Sequence, residues 1–560
     1  MKRVKFLSTV FSIALLSLTA CSNDDNKTTD EGQVSAVQAI EFRVDFADYN
    51  AEQEVGITRA NKEVKLEQQM VDLGNGILAQ CSLQLDTTKQ TKSALTRALA
   101  NDTYTMLAYD AATHAYKGDI TGTVTGGVFT ATSANQDISL APGTYDFVLY
   151  NSKVTRSGNN LIVNRADADA ALIGRTQQVI TATPHKQKVS FTMKHVGAKV
   201  KIKLTGYMDI PAVTATLASV NATDVPGSSI YDASTGTWTA GTGAAMSANT
   251  TFNASSELYF FSNTFTSKSN EETMFMPATD VSKLKLTFNS GNIYLVNMAN
   301  AGLTFKPAST LKLEQNGAYV LNVKLMYNYL YLMSDGTTGF INETTYGGGT
   351  KTPIAVVVSQ SQRLAIALKD AGNGGAYIWQ QHPLAVSNVH IQFNLSDALN
   401  SDITSGKDET WNASYSTNNF TGSKVKAENP LFPAFNVAVA YNPGVPLTGA
   451  NLSKWFLPSA MDWWYAIRGL GFANTKPLAA HSGPYYWYGA LATIAFTQVG
   501  GTSINGSDFS AGGNRFYWTS SEYYYDDAFA IRTFDKQYSY GGNYNDFKYR
   551  YYHVRSFITY

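Results

Sequence analysis

The stretch Trp455-Phe-Leu-Pro-Ser-Ala-Met-Asp-Trp-Trp-Tyr465 decides how the C-terminal part of this 560-residue chain folds. Ser459 and Asp462 have the spacing of a capping box, in which each side chain accepts a hydrogen bond from a backbone N–H that the first helical turn leaves unpaired. Gly471 follows where the helix can stop, since glycine adopts positive φ at little cost. The stretch therefore predicts a short helix that begins after Ser459 and is anchored by aromatic side chains.

Several short β-prone segments come after this helix. Phe516-Tyr-Trp518, Ala528-Phe-Ala-Ile531 and Val554-Arg-Ser-Phe-Ile558 are bounded by polar or tyrosine-rich turns, which is typical of strands. One helix followed by several strands predicts an α+β domain, which we expect to span residues 329–560. Three of its tryptophans are expected in the core: Trp455, Trp464 and Trp518.

The same motifs carry a family resemblance. Trp455-x-Leu-Pro-x-x-x-Asp-Trp463, Tyr517-Trp-Thr-Ser-Ser-Glu522 and the late Val554-Arg555 pair resemble the C-type-lectin-like domains of surface proteins from Gram-negative anaerobes. The formylglycine-generating enzymes share that general fold, but they need active-site cysteines. Residues 330–560 contain no cysteine, so that activity is excluded. The Glu-Pro-Asn sugar motif of animal C-type lectins is also missing, so the resemblance implies no calcium site.

Composition limits the possible classes of protein. The 43 basic and 43 acidic residues balance, and no long basic run occurs, which makes nucleic acid an unexpected partner. The 33 tyrosines and 43 glycines favour turn-rich extended structure. The length is too great for one domain. We therefore expect a mainly β protein of several domains.

The N-terminus has the pattern of an export signal. Met1-Lys-Arg-Val-Lys5 is basic, residues 6–18 are apolar, and Leu18-Thr-Ala-Cys21 resembles a bacterial lipobox. That resemblance implies removal of residues 1–20 and acylation of Cys21, after which Cys81 would have no partner for an intramolecular disulfide. Ser22-Asn-Asp-Asp25 resembles the tag that sends lipoproteins to the outer face of the outer membrane. An ordinary signal peptide with an incidental cysteine is the alternative.

In the middle of the chain, apolar and polar residues alternate with period two. Residues 21–36 are nearly all polar and predict a flexible tether, while residues 37–328 predict two antiparallel β-sandwiches, divided near residue 185 into 37–185 and 186–328. Apolar residues occupy odd positions up to Met193 but even positions from Val200. Because a one-residue slip inverts the faces of a strand, Gly197 is expected to mark a bulge or a crossing.

Four segments of this region together resemble the fimbrillin family: Thr105–Asp110, Pro142–Val148, Val189–Val200 and Asn316–Val323. The resemblance implies lipoprotein-exported pilins with two transthyretin-like sandwich domains that build type V pili by strand donation between subunits. It also implies maturation by a trypsin-like protease. Arg59 and Arg97, each in a polar Thr-Arg-Ala setting, are the candidate cleavage sites, and ordinary solvated arginines are the alternative reading of both.

Aromatic clusters are the candidate ligand contacts, because flat rings with hydroxyl groups pack against sugars or protein partners at low entropic cost. The candidates are Tyr485, Tyr486, Trp487, Tyr488, Tyr523, Tyr524, Tyr525, Tyr540 and Tyr544. No nucleophile elbow, zinc-binding His-Glu-x-x-His pair or phosphate loop occurs in the sequence. We therefore expect no enzymatic activity, no cofactor and no metal site.

These features combine into one hypothesis and two rivals. The chain is expected to be a surface-exported fimbrial subunit, an adhesin at the pilus tip, that binds a glycan or a surface protein through its C-terminal domain. The lipid anchor would hold it in the membrane before maturation. The first rival is a cell-anchored, glycan-binding outer-membrane lipoprotein that never enters a pilus. The second rival is an unrecognised hydrolase.

Overall fold

A computed structural model describes most of the chain after residue 32. The described residues are 33–50, 63–66, 70–87, 102–132, 137–183, 186–257, 262–381, 385–398, 403, 405–473, 485–506, 515–533, 538–539 and 544–560. Cys21, Arg59, Arg97 and Tyr540 lie outside them.

Strands dominate the described residues, which confirms the predicted mainly β class. The strands up to the Val196-Gly197 dipeptide are β1 (Val34–Ser35), β2 (Ile40–Phe46), β3 (Val64–Lys65), β4 (Val71–Asp72), β5 (Ile77–Leu85), β6 (Thr103–Asp110), β7 (Tyr116–Thr125), β8 (Val128–Ala131), β9 (Ser139–Leu140), β10 (Gly143–Asn151), β11 (Thr155–Ser157), β12 (Asn160–Asn164), β13 (Leu172–Ile180) and β14 (Gln187–His195). The next are β15 (Ala198–Gly206), β16 (Val213–Ser219), β17 (Ser228–Asp232), β18 (Thr237–Ala240), β19 (Ser247–Phe252), β20 (Phe265–Lys268), β21 (Thr273–Phe275), β22 (Leu284–Ser290), β23 (Asn292–Ile293), β24 (Val296–Asn297), β25 (Gly302–Thr304) and β26 (Ala318–Tyr327). The last are β27 (Tyr331–Met333), β28 (Thr338–Gly339), β29 (Pro353–Ser359), β30 (Leu364–Ala367), β31 (Ala376–Tyr377), β32 (Tyr485–Tyr486), β33 (Arg515–Glu522), β34 (Asp527–Thr533), β35 (Tyr538–Ser539), β36 (Tyr544–Phe547), β37 (Tyr552–His553) and β38 (Phe557–Thr559).

Helices are short and concentrated after residue 390. The α-helices are α1 (Ala36–Ala39), α2 (Leu395–Ala398), α3 (Gly406–Trp411), α4 (Pro433–Val439), α5 (Ala460–Gly471) and α6 (Gly489–Thr497). Single 3₁₀ turns occur at Arg165–Asp167, Val281–Lys283, Ile341–Glu343, Gly372–Gly374, Ala413–Tyr415 and Lys426–Glu428. Among the described residues, none of these helices is long and apolar enough to cross a membrane.

The first unit is a closed barrel with the strand order β10-β13-β14-β2-β8-β7-β6. Strand β2 pairs with β14 in parallel rather than in the expected antiparallel manner. Ile40, Phe42 and Val44, at alternate positions of β2, are buried in the barrel core. Val34 and Ser35, which were expected in the flexible tether, instead pair with β9. The end of the predicted tether therefore belongs to the folded part of the protein.

The crossing between the two β units lies at Val196-Gly197. β14 ends at His195 in the barrel, whereas β15 begins at Ala198 in a different sheet. A Cβ on Gly197 would approach the Cβ and carbonyl oxygen of Ala168 to 2.8 Å, a distance that only glycine avoids. The change from odd to even apolar positions thus marks a crossing between sheets, which lies about ten residues after the domain boundary predicted near residue 185.

The second unit pairs a seven-stranded sheet with a four-stranded one. The larger sheet has the order β20-β15-β26-β5-β3, with β21 and β4 at its margins, and the smaller has the order β19-β16-β22-β25. β26 lies between β15, with which it is parallel, and β5, with which it is antiparallel over nine residues. Residues 64–85 therefore belong to this unit, although their position in the sequence had placed them in the predicted first sandwich, residues 37–185. Cys81 on β5 is fully buried.

The C-terminal unit combines two five-stranded sheets with helices, close to the predicted α+β layout. Ser459 and Asp462 form the predicted capping box at the start of α5. The final strand β38 returns to pair with β30 in the sheet that also holds β27. Trp455, Trp464 and Trp518 are buried, as expected.

The second and C-terminal units share one hydrophobic core. β26 ends at Tyr327 and β27 begins at Tyr331, on either side of the boundary predicted at 328/329. The Tyr331 hydroxyl donates to the carbonyl of Ala495 in α6 at 2.8 Å, and the hydroxyl of Tyr329 donates to the last turn of α5. The two units are therefore packed against each other directly, with only three residues between their strands.

Candidate ligand-binding surface

The structure separates the predicted aromatic contacts into buried and exposed residues. Trp487 is fully buried, and Tyr488 is only 9% exposed. The Tyr488 hydroxyl donates to Asp209 at 2.9 Å, and its ring meets Phe265 of the second unit at 6.0 Å. Both side chains lie in the core that the two units share, and Tyr488 contacts the second unit directly, so neither is available to a ligand at the surface, which corrects the expectation for both.

The other candidates have different surroundings. Tyr523 is half-buried, and its ring packs edge-on against Phe529. Tyr524 and Tyr525 are 42% and 51% exposed at the turn between β33 and β34. Tyr485, Tyr486 and Tyr544 lie in strands, but their side chains, like all of Tyr540, are outside the described part of the structure.

We use the name aromatic platform for six exposed rings on neighbouring segments of the C-terminal unit: Phe393, Tyr524, Tyr525, Phe547, Tyr549 and Tyr551. Phe393 meets Tyr524 with ring centroids 6.0 Å apart, and Tyr524 meets Tyr525 at 4.2 Å. Phe547 and Tyr549 are stacked at 5.1 Å with an interplanar angle of 8°. Such large apolar rings are rarely left in contact with water as a group, so the platform is a candidate binding surface.

The two halves of the platform are joined through the strand ladder. Asp527 of β34 lies opposite Phe547 of β36, and the N–H of Lys548 donates to the carbonyl of Asp526 at 2.8 Å. Phe393, Phe547, Tyr549 and Tyr551 were not among the predicted contacts. Phe393 lies more than a hundred residues from the others, so its place in the platform depends on tertiary structure alone.

A buried ion pair lies beneath the platform. Glu522 and Lys548 are both fully buried and form a direct salt bridge. The Glu522 carboxylate also accepts hydrogen bonds from the backbone N–H groups of Ser387 and Asn388. Burial raises the pKa of Glu522, and burial lowers the pKa of Lys548, while their mutual attraction opposes both shifts.

This pair joins the three loops that carry the rings. Lys548 Nζ donates to the carbonyls of Tyr525 at 2.7 Å and Ala385 at 3.2 Å. The carbonyl of Glu522 accepts the N–H of Gln392 at 2.9 Å, next to Phe393. Because each loop contributes a bond to one buried ion pair, the rings are held in a fixed arrangement before any ligand binds, which lowers the entropic cost of binding.

Polar groups line the edge of the platform. Asp546, Tyr549, Arg550, Tyr551 and Tyr552 surround a cavity of about 550 Å³. Within it the Tyr552 hydroxyl donates to Asp546, and the Arg550 guanidinium lies 3.6 Å from the same carboxylate. Rings beside a carboxylate and a guanidinium can combine stacking with hydrogen bonds to hydroxyl groups.

Three further ion pairs stiffen the C-terminal unit. Lys426 and Glu409 are buried 2.9 Å apart. Asp370 binds Arg555 at 2.7 Å and Arg515 at 2.8 Å, and Arg555 also donates to the carbonyl of Leu368. Apart from Arg515, which is partly exposed, these charges are enclosed and paired with one another. Within the described ranges, no group of three His, Cys, Asp or Glu residues could hold a metal ion.

Comparison with known proteins finds similarity over part of the chain. Among solved structures, similarity in fold is found to a candidate cell adhesion protein from Bacteroides uniformis (17% identity, 40% of this chain, 86% of that chain, TM-score 0.28). Similarity is also found to a fimbrial protein from Bacteroides vulgatus (14% identity, 43% of this chain, 96% of that chain, TM-score 0.26). A third match is a fimbrial assembly protein from Parabacteroides distasonis (11% identity, 44% of this chain, 94% of that chain, TM-score 0.25). No curated protein matches. The family model described as fimbrillin-like matches residues 172–337, which run from the start of β13 to the residue before β28.

Proposed function

We propose that this protein is a non-enzymatic fimbrial subunit that acts as an adhesin. The fimbrillin-like segment spans the last strands of the barrel and the whole chain of the second unit from β15 to β26. Fimbrillin-like proteins are structural and adhesive in kind, which supports a place among other pilin subunits at the cell surface. The charges buried in the C-terminal unit are paired and closed to substrate, in keeping with a protein that binds rather than reacts.

The adhesive activity is assigned to the aromatic platform, and that platform is the observation on which the proposal depends. Its six rings are 38–70% exposed, yet the loops beneath them are fixed by the Glu522–Lys548 pair. Rigid, solvent-exposed rings bordered by hydrogen-bonding groups suit a glycan or a surface-protein ligand. We further propose that residues 329–560 form a C-type-lectin-like domain, supported by the capped helix α5 and by β38, which closes the unit onto β30.

A tip position is proposed from the way the second unit continues into the C-terminal unit. A pilin that donates a strand needs a free extended segment beyond its last sandwich strand. Here β26 is followed after three residues by β27, and the tyrosines around this junction are bonded to α5 and α6. A folded unit of more than two hundred residues cannot enter a groove one strand wide. The subunit would receive a strand without donating one.

Export and maturation complete the proposal. Acylation of Cys21 would anchor the precursor, and cleavage after Arg59 or Arg97 would release it. Cleavage after Arg59 would detach β1 and β2 and open the barrel between β14 and β8. Cleavage after Arg97 would also detach β5, and so expose one edge of β26 over nine residues. Either event leaves an unpaired edge that another strand can occupy.

Immunogold labelling of purified fibres tests the tip role. Antibody against residues 330–560 is expected to mark each fibre once, at one end, whereas labels spaced along the shaft would contradict the proposal. N-terminal sequencing of the same fibres should begin at residue 60 or residue 98. Protein that still begins at Cys21 and is absent from fibres would instead support the cell-anchored glycan-binding lipoprotein.

A further inference from the structure

Directly after β2, Tyr49 and Asn50 lie at the junction of the barrel and the second unit. Asn50 adopts a positive φ of 63° there, and its N–H donates to the carbonyl of Asn316 at 2.9 Å. Its side-chain amide accepts from the N–H of Ala318 and donates to the carbonyl of the same residue, both at 3.0 Å, and donates to the carbonyl of Asp86 at 3.1 Å. Asn50 therefore binds the start of β26 as an added strand residue would.

Tyr49 contacts both units at once. Its ring is stacked on the imidazole of His195, at the end of β14, with centroids 4.4 Å apart and an angle of 8°. The ammonium of Lys199 in β15 lies 4.4 Å from the centre of the same ring, and the Tyr49 hydroxyl donates to Asp169 at 2.6 Å. Lys199 is only 5% exposed, so the ring supplies part of the environment that water would otherwise give its charge.

The strand before this dipeptide occupies three apolar pockets. Ile40, Phe42 and Val44 are buried at 6%, 4% and 2% exposure, and β2 is hydrogen-bonded along its length to β14 in parallel. Phe42 lies in a cage of rings at 5.7–6.2 Å that includes Phe147 and Phe191. We call the space that β2 fills between β14 and β8 the groove. The groove accepts apolar side chains at alternate positions, and the site beyond it accepts a tyrosine five residues after the last of them and an asparagine directly after the tyrosine.

We propose that Tyr49 and Asn50 form a clasp between the two units, and that the groove and clasp site together recognise an incoming extended segment of another subunit by this pattern. The inference rests on the proposed function, in which the N-terminal segment is removed and a donated strand replaces it. Once Tyr49 leaves, the imidazole of His195 loses the ring stacked on it, and the buried ammonium of Lys199, which also pairs with Glu272 at 3.2 Å, loses its cation–π contact. A strand that supplies a tyrosine there restores both ring contacts and the hydroxyl bond to the exposed Asp169, whereas an aliphatic residue restores none of them.

A peptide replacement experiment tests the specificity. The full chain is treated with a trypsin-like protease, the cleavage site is identified by N-terminal sequencing, and binding of a fluorescent peptide of residues 36–50 is measured. We expect the Tyr49→Ala peptide to bind at least about thirtyfold more weakly and the Tyr49→Phe peptide about fivefold more weakly. The Asp45→Asn peptide, altered at an exposed position of β2, should bind within about twofold of the natural peptide. A Tyr49→Ala peptide that binds as tightly as the control overturns the proposal.

A second measurement uses the uncleaved chain, so that failure of the proposed maturation and failure of the clasp can be told apart. If the protease does not cut the chain, the maturation proposal fails, and hydrogen exchange then decides the clasp. Tyr49→Ala should raise the exchange rate of the Ala318 amide at least about tenfold, because the N–H···Oδ1 bond to Asn50 loses its anchored neighbour. Asp45→Asn should leave that rate unchanged, and equal rates in both variants would overturn the clasp.

Discussion

Replacing Lys548 by methionine should disrupt both the stability and the binding activity of the C-terminal unit. The change keeps the length of the side chain but removes the charge, and leaves the Glu522 carboxylate fully buried with only two backbone N–H donors. Breaking a buried ion pair by removing one partner costs about 3–5 kcal/mol. That is a large part of the roughly 5–15 kcal/mol by which a domain is usually stable. The bonds from Nζ to Tyr525 and Ala385 are lost with it, so the loops that carry the platform should separate.

Urea unfolding followed by tryptophan fluorescence measures this effect, because seven of the eight tryptophans lie after residue 330. Lys407→Met, at an exposed position of α3, is the matched control and should change the free energy of unfolding by less than about 0.5 kcal/mol. The double variant Glu522→Gln with Lys548→Met removes the unpaired charge and should recover most of the stability. If Lys548→Met alone unfolds within about 1 kcal/mol of the natural protein and still binds ligand, the buried pair does not support the platform as argued.

Three further outcomes are expected. Tyr525→Ala combined with Tyr549→Ala should lower binding on a glycan and matrix-protein array at least about tenfold without changing the unfolding midpoint, because both rings are about half exposed; Tyr346→Ala, equally exposed but outside the platform, should bind normally. Burial raises the pKa of Asp462 from 3.8 to about 6, so the folded state holds its proton over a range in which the unfolded state has lost it. Unfolding free energy should therefore fall as pH rises from about 4 to 6, and Asp462→Asn should remove that slope in urea titrations. Cys21→Ser should retain precursor in the inner membrane or release it, and undiminished display in surface-labelling experiments would contradict the lipobox.

Local features were predictable from the sequence. The α5 capping box depends on two residues three positions apart, so Ser459 and Asp462 identify it without tertiary information. The period-two pattern likewise predicts strands, because alternation follows from the pleat of a single strand. The shift of apolar residues from odd to even positions around Gly197 was also informative. It lies closer to the crossing between the two units than the boundary placed at residue 185 does.

Long-range pairing was not predictable in the same way. β5 is separated from its partner β26 by more than two hundred residues, and nothing in the local pattern of residues 77–85 distinguishes one sheet from another. The binding surface shows the same limit. Tyrosine-rich segments suggested contacts, but burial divided them, because Trp487 fills the core while Tyr525 faces water. The exposure of an aromatic ring depends on what packs over it, and that is set by residues far away in the chain.

The position of β26 has a mechanical consequence. The strand is hydrogen-bonded on both sides, to β15 and to β5, and it continues after three residues into the unit that carries the platform. A tensile load applied at the platform and directed along β26 would act across both ladders, whose bonds are perpendicular to the strand on the antiparallel β5 side and slanted on the parallel β15 side. The two ladders would then be sheared together and would have to break nearly at once, instead of opening one bond at a time. If the platform held a ligand while fluid flow pulled on the cell, the pulling force would act along β26, the direction in which the central sheet best resists separation of its strands.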